Sequence, residues 1–203
     1  MSELTDLHSS ISVCEKCDLC RGRTHAVPGE GPESPAIMFI GEGPGFYEDQ
    51  QARPFVGPAG KFLEELLGVI GLDRSEVYIT NVIKCRAPGN RDPLPEEIQA
   101  CSGWLDRQIQ LLKPKLVVTL GRYSMARFFS KQSISKVHGT SKKVDGQMVF
   151  AMYHPAAALH QQRLRDTLIE DVKKIPAILA KADQAKTDQV PEEEHGPEQL
   201  SMF

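Results

Sequence analysis

Two acidic residues and an aromatic residue lie in a glycine-rich segment that has the chemistry of a binding pocket. The segment runs from Gly41 through Glu42 and Gly43 to Glu48, and it continues to Phe55. Glycine lets the backbone approach a flat or charged ligand because no Cβ atom blocks the way. A carboxylate can act on a proton or a cation, and an aromatic ring can stack on a planar ligand. This combination predicts half of a binding pocket.

The other polar candidates follow two further apolar segments of the chain. His154 begins a His-Pro-Ala-Ala sequence, and Asn81 ends the second predicted strand. Four polar residues occupy the loop after Asn81, namely Lys84, Arg86, Asn90 and Arg91. Taken singly, such residues are more often turn, cap or solvated loop residues, and a histidine before proline is usually structural. Their joint position after predicted strands favours one shared site with the glycine-rich segment.

The cysteines suggest a metal centre. Cys14 and Cys17 have the spacing of a chelating pair, and Cys85 and Cys101 are far along the chain, beside predicted loops. A reducing compartment argues against disulfides, so zinc and an iron–sulfur cluster are the two metal alternatives. Cys85 and Cys101 could instead be buried small apolar residues. The count of four favours a metal site, but the spacing does not choose between zinc and iron–sulfur.

Length, composition and charge set broad limits on the protein. The chain has 203 residues, of which 40% are hydrophobic. It contains no apolar run long enough to span a membrane, and Met1–Asp6 lack the features of a secretion signal. We therefore expect a cytoplasmic protein. Residues 183–203 contain six acidic residues and one lysine, so residues 1–182 hold 23 basic and 21 acidic residues. This balance neither favours nor excludes nucleic acid as a partner.

Hydrophobic patterning predicts alternating strands and helices. Apolar runs predict strands at 36–40, 77–82, 115–120 and 148–152, and helical periodicity predicts helices at 60–70, 95–112, 124–130 and 164–182. The expected fold is α/β, a three-layer αβα arrangement around a mainly parallel four-stranded sheet. The carboxyl ends of parallel strands meet at one edge, where the polar candidates would converge. Residues 1–182 form the predicted domain, and 183–203 a disordered acidic tail.

At these motifs the chain resembles the iron–sulfur uracil-DNA glycosylases called family 4, over roughly residues 10–180. The matching motifs occur in the family's order. They are Gly41–Gly45 with Glu48-Asp49, Arg53–Gly57, Thr80-Asn81, Lys84–Arg86, Asn90-Arg91 and His154–Ala157. The resemblance implies that Cys14, Cys17, Cys85 and Cys101 ligate a 4Fe–4S cluster, which leaves Cys20 as a free thiol. It also implies that the substrate is uracil in single- or double-stranded DNA.

The implied reaction assigns roles to the pocket residues. A uracil flipped out of DNA would stack on Phe55, pair with the amide of Asn81 and accept a hydrogen bond from His154 at O2. A carboxylate would stabilise the sugar cation or orient water, with Glu48 the first choice and Glu42 the second. The expected substrate-binding set is Gly41, Glu42, Gly43, Phe55, Asn81, Asn90 and His154. A non-catalytic iron–sulfur DNA-binding protein on the same fold is the alternative, as is a cluster-based electron carrier.

Further residues are expected to contact DNA or a protein partner. Lys84, Arg86 and Arg91 would contact phosphates, and Leu159, with Arg163 nearby, would fill the gap left by the flipped base. A plain helix N-terminus is the alternative for Leu159. The last five residues resemble a sliding-clamp-binding peptide, in which the anchors are Gln199, Leu200, Met202 and Phe203. The alternative is an accidental apolar end. We expect a monomer that associates with the nucleoid.

Overall fold

A parallel sheet forms the centre of the molecule. The computed structural model describes residues 2–159 and 161–187. Within this part of the chain the strands are β1 Ile37–Gly41, β2 Tyr78–Asn81, β3 Leu116–Leu120, β4 Ser141–Val144 and β5 Gln147–Met152. They are ordered β2-β1-β3-β5-β4. All neighbouring strands are parallel except β4, which pairs with β5 in the antiparallel direction.

Helices cover both faces of the sheet. They are α1 Glu3–Ser12, α2 Phe46–Gln51, α3 Pro58–Val69, α4 Pro95–Leu112, α5 Arg122–Ala126, α6 Ile134–Val137, α7 Gln162–Val172 and α8 Ile175–Thr187. Alternate residues of a strand point to opposite faces. Met38 and Ile40 therefore pack with α1 and α4, and Ile37 and Phe39 pack with α3, α7 and α8. This arrangement confirms the predicted three-layer α/β fold.

The sheet has five strands in the described residues, so the prediction of four strands is wrong. β4 is exposed along most of its length and has no apolar run. It pairs with β5 through a tight turn in which Asp145 and Gly146 have φ angles of 48° and 83°. Two consecutive positive φ angles are those of a type I′ hairpin turn, for which Asp-Gly is a favoured sequence. The dipeptide was the available signal for this hairpin.

The helices also differ from the prediction in places. α1, α2 and α6 were not predicted, and the helix predicted over 164–182 is divided into α7 and α8. Pro176 follows the first residue of α8, and proline has no N–H group to continue the ladder of α7. α8 continues to Thr187, past the predicted boundary at residue 182, and residues 188–203 lie outside the described residues. No helix of the described part has the length and apolarity needed to cross a membrane.

Candidate active site

A cavity of about 380 Å³ opens at the carboxyl edge of the sheet. Its volume lies within the ordinary range for small-ligand sites. Nine of the predicted site residues line it, and they come from the end of β2, from α2, from the segment before α3 and from the segments that follow β1, β2 and β5. These residues are Glu42, Gly43, Glu48, Phe55, Asn81, Asn90, Arg91, His154 and Leu159. The fold thus brings together the residues expected to converge.

Gly41 ends β1 directly behind the cavity, where there is no space for a side chain. A Cβ atom at this position would lie 2.4 Å from Asn81 Oδ1 and 2.6 Å from the ring of Phe55. β1 and β2 are paired at this point, with Gly41 opposite Asn81. The glycine therefore allows the amide and the aromatic ring to approach each other at the base of the cavity.

Asn81 has an unsatisfied buried oxygen. The residue is 1% exposed, and its Oδ1 atom has no hydrogen-bond partner among the described residues. A buried carbonyl oxygen without a donor costs about 1–3 kcal/mol. This cost is recovered when a ligand in the cavity donates a hydrogen bond. The arrangement suits a planar ligand with an N–H group at its edge.

Glu48 connects the two loops that border the cavity. Its Oε1 atom accepts hydrogen bonds from the main-chain N–H groups of Val56 (2.9 Å) and Gly57 (2.8 Å), and its Oε2 atom accepts one from Gly45 (3.1 Å). The carboxylate is nearly buried. Three main-chain N–H groups therefore already bind the carboxylate that sequence reasoning placed first for action on water or the sugar. Its contacts are those of a residue that holds the pocket in shape.

The backbone at Phe55 is strained and is fixed from both sides. Phe55 has a φ angle of 52°, in the left-handed region that bulky residues rarely adopt. Arg74 donates to the carbonyl oxygen of Phe55 at 2.8 Å and also hydrogen-bonds the carbonyl of Pro54. A Cβ atom at Gly60 would lie 1.9 Å from the Phe55 oxygen, so only glycine fits there. Such strain persists when the surroundings enforce it, and it is often found at functional sites.

His154 stacks on Phe55 in a defined tautomer. The two ring centroids are 5.6 Å apart, with 27° between the planes. The main-chain N–H of Ala156 donates to His154 Nδ1 at 3.1 Å, so the proton of the neutral ring is on Nε2. Burial lowers the pKa of His154 to about 4, although the Glu48 carboxylate acts in the opposite direction. The ring is therefore a neutral hydrogen-bond donor at neutral pH.

Glu42 directly follows β1, and its partly buried carboxylate contacts the first turn of α5. Its Oε1 atom accepts from the main-chain N–H of Tyr123 at 3.1 Å. Burial raises the pKa of Glu42, and the Tyr123 hydrogen bond offsets part of this change. Gly121, with a φ of 99°, allows the close approach, since a Cβ atom there would lie 2.4 Å from Glu42 Oε1. Glu42 has fewer hydrogen bonds than Glu48 and is freer to act on a ligand.

Lys84 is buried, so its predicted contact with DNA phosphates is wrong. The side chain is 1% exposed. Its Nζ atom donates to Thr80 Oγ1 (2.6 Å), to the main-chain oxygen of Asn81 (2.8 Å) and to Gln108 Oε1 (2.7 Å). Burial lowers the pKa of Lys84 to about 8. The residue does not line this cavity, and its hydrogen bonds connect the end of β2 to α4.

The other predicted DNA-contact residues are at the surface. Arg86 donates to Asn90 Oδ1 at 2.7 Å, and its guanidinium lies 5.1 Å from the centroid of the Phe46 ring. Arg91 pairs with Glu97 at 2.6 Å and remains accessible at the cavity mouth. Leu159 is 38% exposed and lines the rim. Arg163 is exposed on the first turn of α7 and does not line the cavity.

Comparisons with known proteins agree with this geometry. The family model for the uracil DNA glycosylase superfamily matches residues 28–174. The type-4 uracil-DNA glycosylase of Sulfurisphaera tokodaii is 50% identical over 185 residues, which cover 86% of this chain and 84% of that protein. The type-4 uracil-DNA glycosylase of Archaeoglobus fulgidus is 45% identical over 190 residues, covering 89% and 96%. The Thermotoga maritima protein of the same name is 41% identical over 185 residues, covering 88% and 96%.

The chain belongs to the type-4 uracil-DNA glycosylase family. The family resemblance inferred from the motifs is thereby confirmed. The cavity of this glycosylase therefore lies where the motifs predicted it, at the carboxyl edge of the sheet.

The cysteines of this glycosylase surround a second, smaller cavity. All five line it, including Cys20, which the resemblance had left outside the ligand set. Burial raises the pKa of Cys101 to about 11, and it also raises the pKa of Cys85. Thiolates are therefore disfavoured here unless positive charge is supplied. Among the described residues, no three His, Cys, Asp or Glu side chains form a group that could hold a metal ion.

Two hydrogen-bond donors point at the cysteine sulfurs. Arg23 donates to Cys85 Sγ at 3.0 Å and to the Cys14 carbonyl at 2.8 Å, and Trp104 Nε1 donates to Cys14 Sγ at 3.2 Å. Donors of this kind stabilise anionic sulfur. The donor set therefore fits an iron–sulfur centre.

Sequence reasoning missed four residues that shape the two sites, namely Arg23, Trp104, Arg74 and Gly121. Only Gly121, a glycine directly after a strand, offered a local signal.

Proposed function

We infer that this protein is a DNA-repair enzyme that hydrolyses the N-glycosidic bond of uracil in DNA, releasing uracil and leaving an abasic site. The observation that carries the inference is the buried side-chain oxygen of Asn81, which has no hydrogen-bond partner in the described part of the chain and lies at the base of a cavity bordered by Phe55 and His154. Membership of the type-4 family supports it. A base must leave the helix before it can enter such a cavity.

The cavity can recognise a flipped uracil by its edge and its face. Uracil presents an N–H group at N3 and carbonyl oxygens at O2 and O4. The Asn81 oxygen would accept from N3–H, and the Asn81 amide would donate to O4. Cytosine has the reverse pattern at these two positions and would be rejected. Phe55 provides the stacking surface, and its strained backbone is fixed before the base arrives.

His154 would act on the departing base. Cleavage of the glycosidic bond leaves negative charge on the uracil ring. The Nε2–H group of neutral His154 can donate to uracil O2 as this charge develops, and no prior proton transfer is needed. The hydrogen bond from Ala156 holds the ring in the required tautomer.

Glu42 is the carboxylate we assign to the sugar and the water. Its raised pKa reflects a partly buried group, and its carboxylate borders the cavity. A carboxylate there can stabilise the oxocarbenium-like sugar or take a proton from water. We assign Glu48, the first choice from sequence, to holding the loop that presents Phe55.

We further propose a 4Fe–4S cluster held by Cys14, Cys17, Cys85 and Cys101. When bound, the cluster would connect the N-terminal segment to the loop after β2 and to α4. The hydrogen bond from Arg23 to Cys85 would make the cluster easier to reduce and would slow its loss from the protein.

The variant Arg23→Gln tests this role of the arginine. It should lower the reduction potential of the cluster and speed the loss of iron to a chelator, and the visible absorbance of the cluster measures both changes. Arg21→Gln, at an exposed arginine nearby, is the control. Stoichiometric zinc without iron in protein purified anaerobically would refute the cluster.

The clamp-binding residues Gln199, Leu200, Met202 and Phe203 lie outside the described residues. We propose that they dock this enzyme, as a monomer, on the sliding clamp of the replication machinery. An anchored tail would raise the local concentration of the enzyme near nucleoid DNA. Removal of residues 199–203 should abolish capture by the purified clamp and leave uracil release from short oligonucleotides unchanged. Clamp capture by the truncated protein would refute the assignment.

Uracil release from oligonucleotides tests the enzymatic function itself. The wild-type protein should release free uracil from single-stranded or duplex DNA and leave thymine and cytosine in place. Asn81→Asp should reduce uracil release and increase release of cytosine, because a carboxylate accepts from the cytosine amino group and cannot donate to O4. DNA binding without any base release by the wild-type protein would instead favour the non-catalytic alternative.

A further inference from the structure

Two aromatic side chains at the mouth of the base cavity are half exposed. Phe46 is 50% exposed and Tyr47 is 53% exposed, and both line the cavity. Their rings contact each other edge to face, with centroids 5.6 Å apart. Large exposed aromatic residues grouped on one surface commonly mark an interaction site. They belong to neither the base-reading residues nor the cysteine cavity.

The helix that presents these rings is firmly anchored. The two residues that follow them in α2 are buried carboxylates with main-chain partners. Glu48 holds Gly45 and the loop before α3, and Asp49 accepts from the main-chain N–H of Thr24 at 2.9 Å. The aromatic rings are therefore exposed because α2 is held in that orientation. An ordered aromatic surface loses little conformational entropy when it binds a ligand.

A positive charge accompanies the aromatic pair. The guanidinium of Arg86 lies over the Phe46 ring, and only its Nε atom is hydrogen-bonded, to Asn90. Its terminal nitrogens have no hydrogen-bond partner within the described part of the chain. Aromatic faces next to an available guanidinium are the combination that single-stranded nucleic acid requires, since bases stack and phosphates pair with arginine.

We propose that Phe46 and Tyr47 form a stacking site for the nucleobase adjacent to the flipped uracil, with Arg86 on the phosphate between the two nucleotides. The proposal rests on the inferred uracil-DNA substrate. A strand that places uracil in the cavity must pass over its mouth, where the neighbouring base has lost its stacking partner. The aromatic pair replaces that partner and holds the strand during base release.

Removal of the neighbouring base tests the site. Single-stranded oligonucleotides would contain one uracil with either an intact neighbour or an abasic spacer on its 5′ or its 3′ side. For the wild-type enzyme, one of the two spacers should reduce kcat/KM about 10-fold, the value expected for the loss of one base stacked on an aromatic ring. Tyr47→Ala and Phe46→Ala should lose activity on the intact substrate, and the same spacer should cause little further loss. Tyr47→Phe should behave as wild type, and so should Val69→Ala, at an exposed apolar residue away from the cavity.

The outcomes separate this proposal from the enzymatic function. Uracil release from the intact substrate tests the function alone. If release occurs and neither spacer affects the wild-type enzyme, the stacking site is refuted and the function stands. If the spacer reduces the activity of wild type and both alanine variants by the same factor, the aromatic pair is not the stacking partner, and the site is again refuted. Melting temperatures of the variants should remain at the wild-type value because both side chains are exposed.

Discussion

The ammonium group of Lys84 lies 2.8 Å from the main-chain carbonyl oxygen of Asn81, the residue we assign to reading the base. The same group bonds Thr80 and Gln108, so one buried cation joins the end of β2 to α4. An amide that distinguishes uracil from cytosine must be held in one position. We assign this positioning role to Lys84, because its side chain is buried and its ammonium group holds the main chain of Asn81.

Lys84→Met should therefore destabilise the protein and weaken base recognition. The substitution removes the donor that three buried acceptors share, and each acceptor left unsatisfied should lower the free energy of unfolding by about 1–3 kcal/mol. We expect a fall in kcat/KM with the salt dependence of DNA binding unchanged, because no phosphate contact is lost. Urea unfolding and titrations at several salt concentrations measure these quantities.

Arg86→Gln and Lys143→Met are the comparisons for this prediction. Loss of a phosphate contact at Arg86 should reduce the slope of log K against log salt by about 0.7–0.9. Lys143 is exposed on β4, and its substitution should change neither stability nor activity. Iron content should be measured in parallel since Cys85 is the next residue. A reduced salt slope in Lys84→Met would restore the phosphate-contact role that the sequence suggested.

Glu42 and Glu48 should differ in the kind of defect that their substitution causes. Glu42→Gln should lower kcat by about 100-fold or more and leave DNA affinity unchanged, as expected for a group that acts on the reacting atoms. Because burial raises the pKa of Glu42, the wild-type rate should fall on acidification at a pH above the ordinary carboxylate value. This acid limb should be absent from the residual rate of Glu42→Gln.

Glu48→Ala should instead impair binding and folding. Three main-chain N–H groups lose their acceptor, so the free energy of unfolding should fall by about 2 kcal/mol or more. Affinity for uracil-containing DNA should fall together with kcat because the Phe55 turn is released. Glu170→Gln, at an exposed carboxylate of α7, is the control. A stable Glu48→Ala protein with normal affinity and a large loss of kcat would return the catalytic role to Glu48.

The strands and the pocket loops could be predicted because their signals are local. Buried parallel strands such as β1 and β3 are continuous apolar runs, and the topology then places their carboxyl ends together. The direction of a long side chain is not local. Lys84 follows β2 in a loop with Arg86 and Arg91, and only its packing against Gln108 of α4 distinguishes it from them. The same holds for Arg74, which meets Phe55 across a sequence separation of nineteen residues.

The choice between the two acids was also beyond the sequence. Glu42 and Glu48 are both in the glycine-rich motif, and both are suitable acids on chemical grounds. Our assignment of separate roles rests on the hydrogen bonds that the N–H groups of Val56 and Gly57 donate to Glu48. The edge strand β4 was missed for a different reason, because an exposed Ser-Lys-Lys-Val segment has no hydrophobic pattern.

The pH dependence of stability should contain a contribution from His154. Burial lowers the pKa of His154 to about 4 in the folded protein, against an ordinary value near 6.5 in the unfolded chain. Between these values the unfolded chain takes up a proton that the folded protein does not. Stability should therefore fall as the pH falls from about 6.5 to about 4, by at most about 3 kcal/mol. Above pH 6.5 the residue should contribute no pH dependence.

His154→Gln isolates this contribution. As the pH falls from about 6.5 to about 4, the free energy of unfolding should decrease more for the wild type than for the variant. His25→Gln, at an exposed histidine, is the control. A difference that is constant between pH 4 and pH 7 would mean that His154 titrates normally, and that its neutral state does not result from burial.

Leu159 should matter more for duplex DNA than for single strands. It is 38% exposed at the cavity rim and directly follows the helical turn Pro155–Ala158, whose start fixes His154. An apolar side chain there can enter the gap that a flipped base leaves in a duplex, where unstacking costs a few kcal/mol. Single-stranded DNA has no such gap to fill.

Leu159→Ala should therefore lower kcat/KM on a uracil-containing duplex about 10-fold and leave the rate on the matching single strand nearly unchanged, because only the duplex must be held open. Leu94→Ala, at a residue of similar exposure before α4, should affect neither substrate. A duplex with uracil opposite an abasic site is partly opened already and should reduce the defect. Equal losses on duplex and single strand would show that Leu159 supports the helical turn and His154, and that it does not act on the DNA.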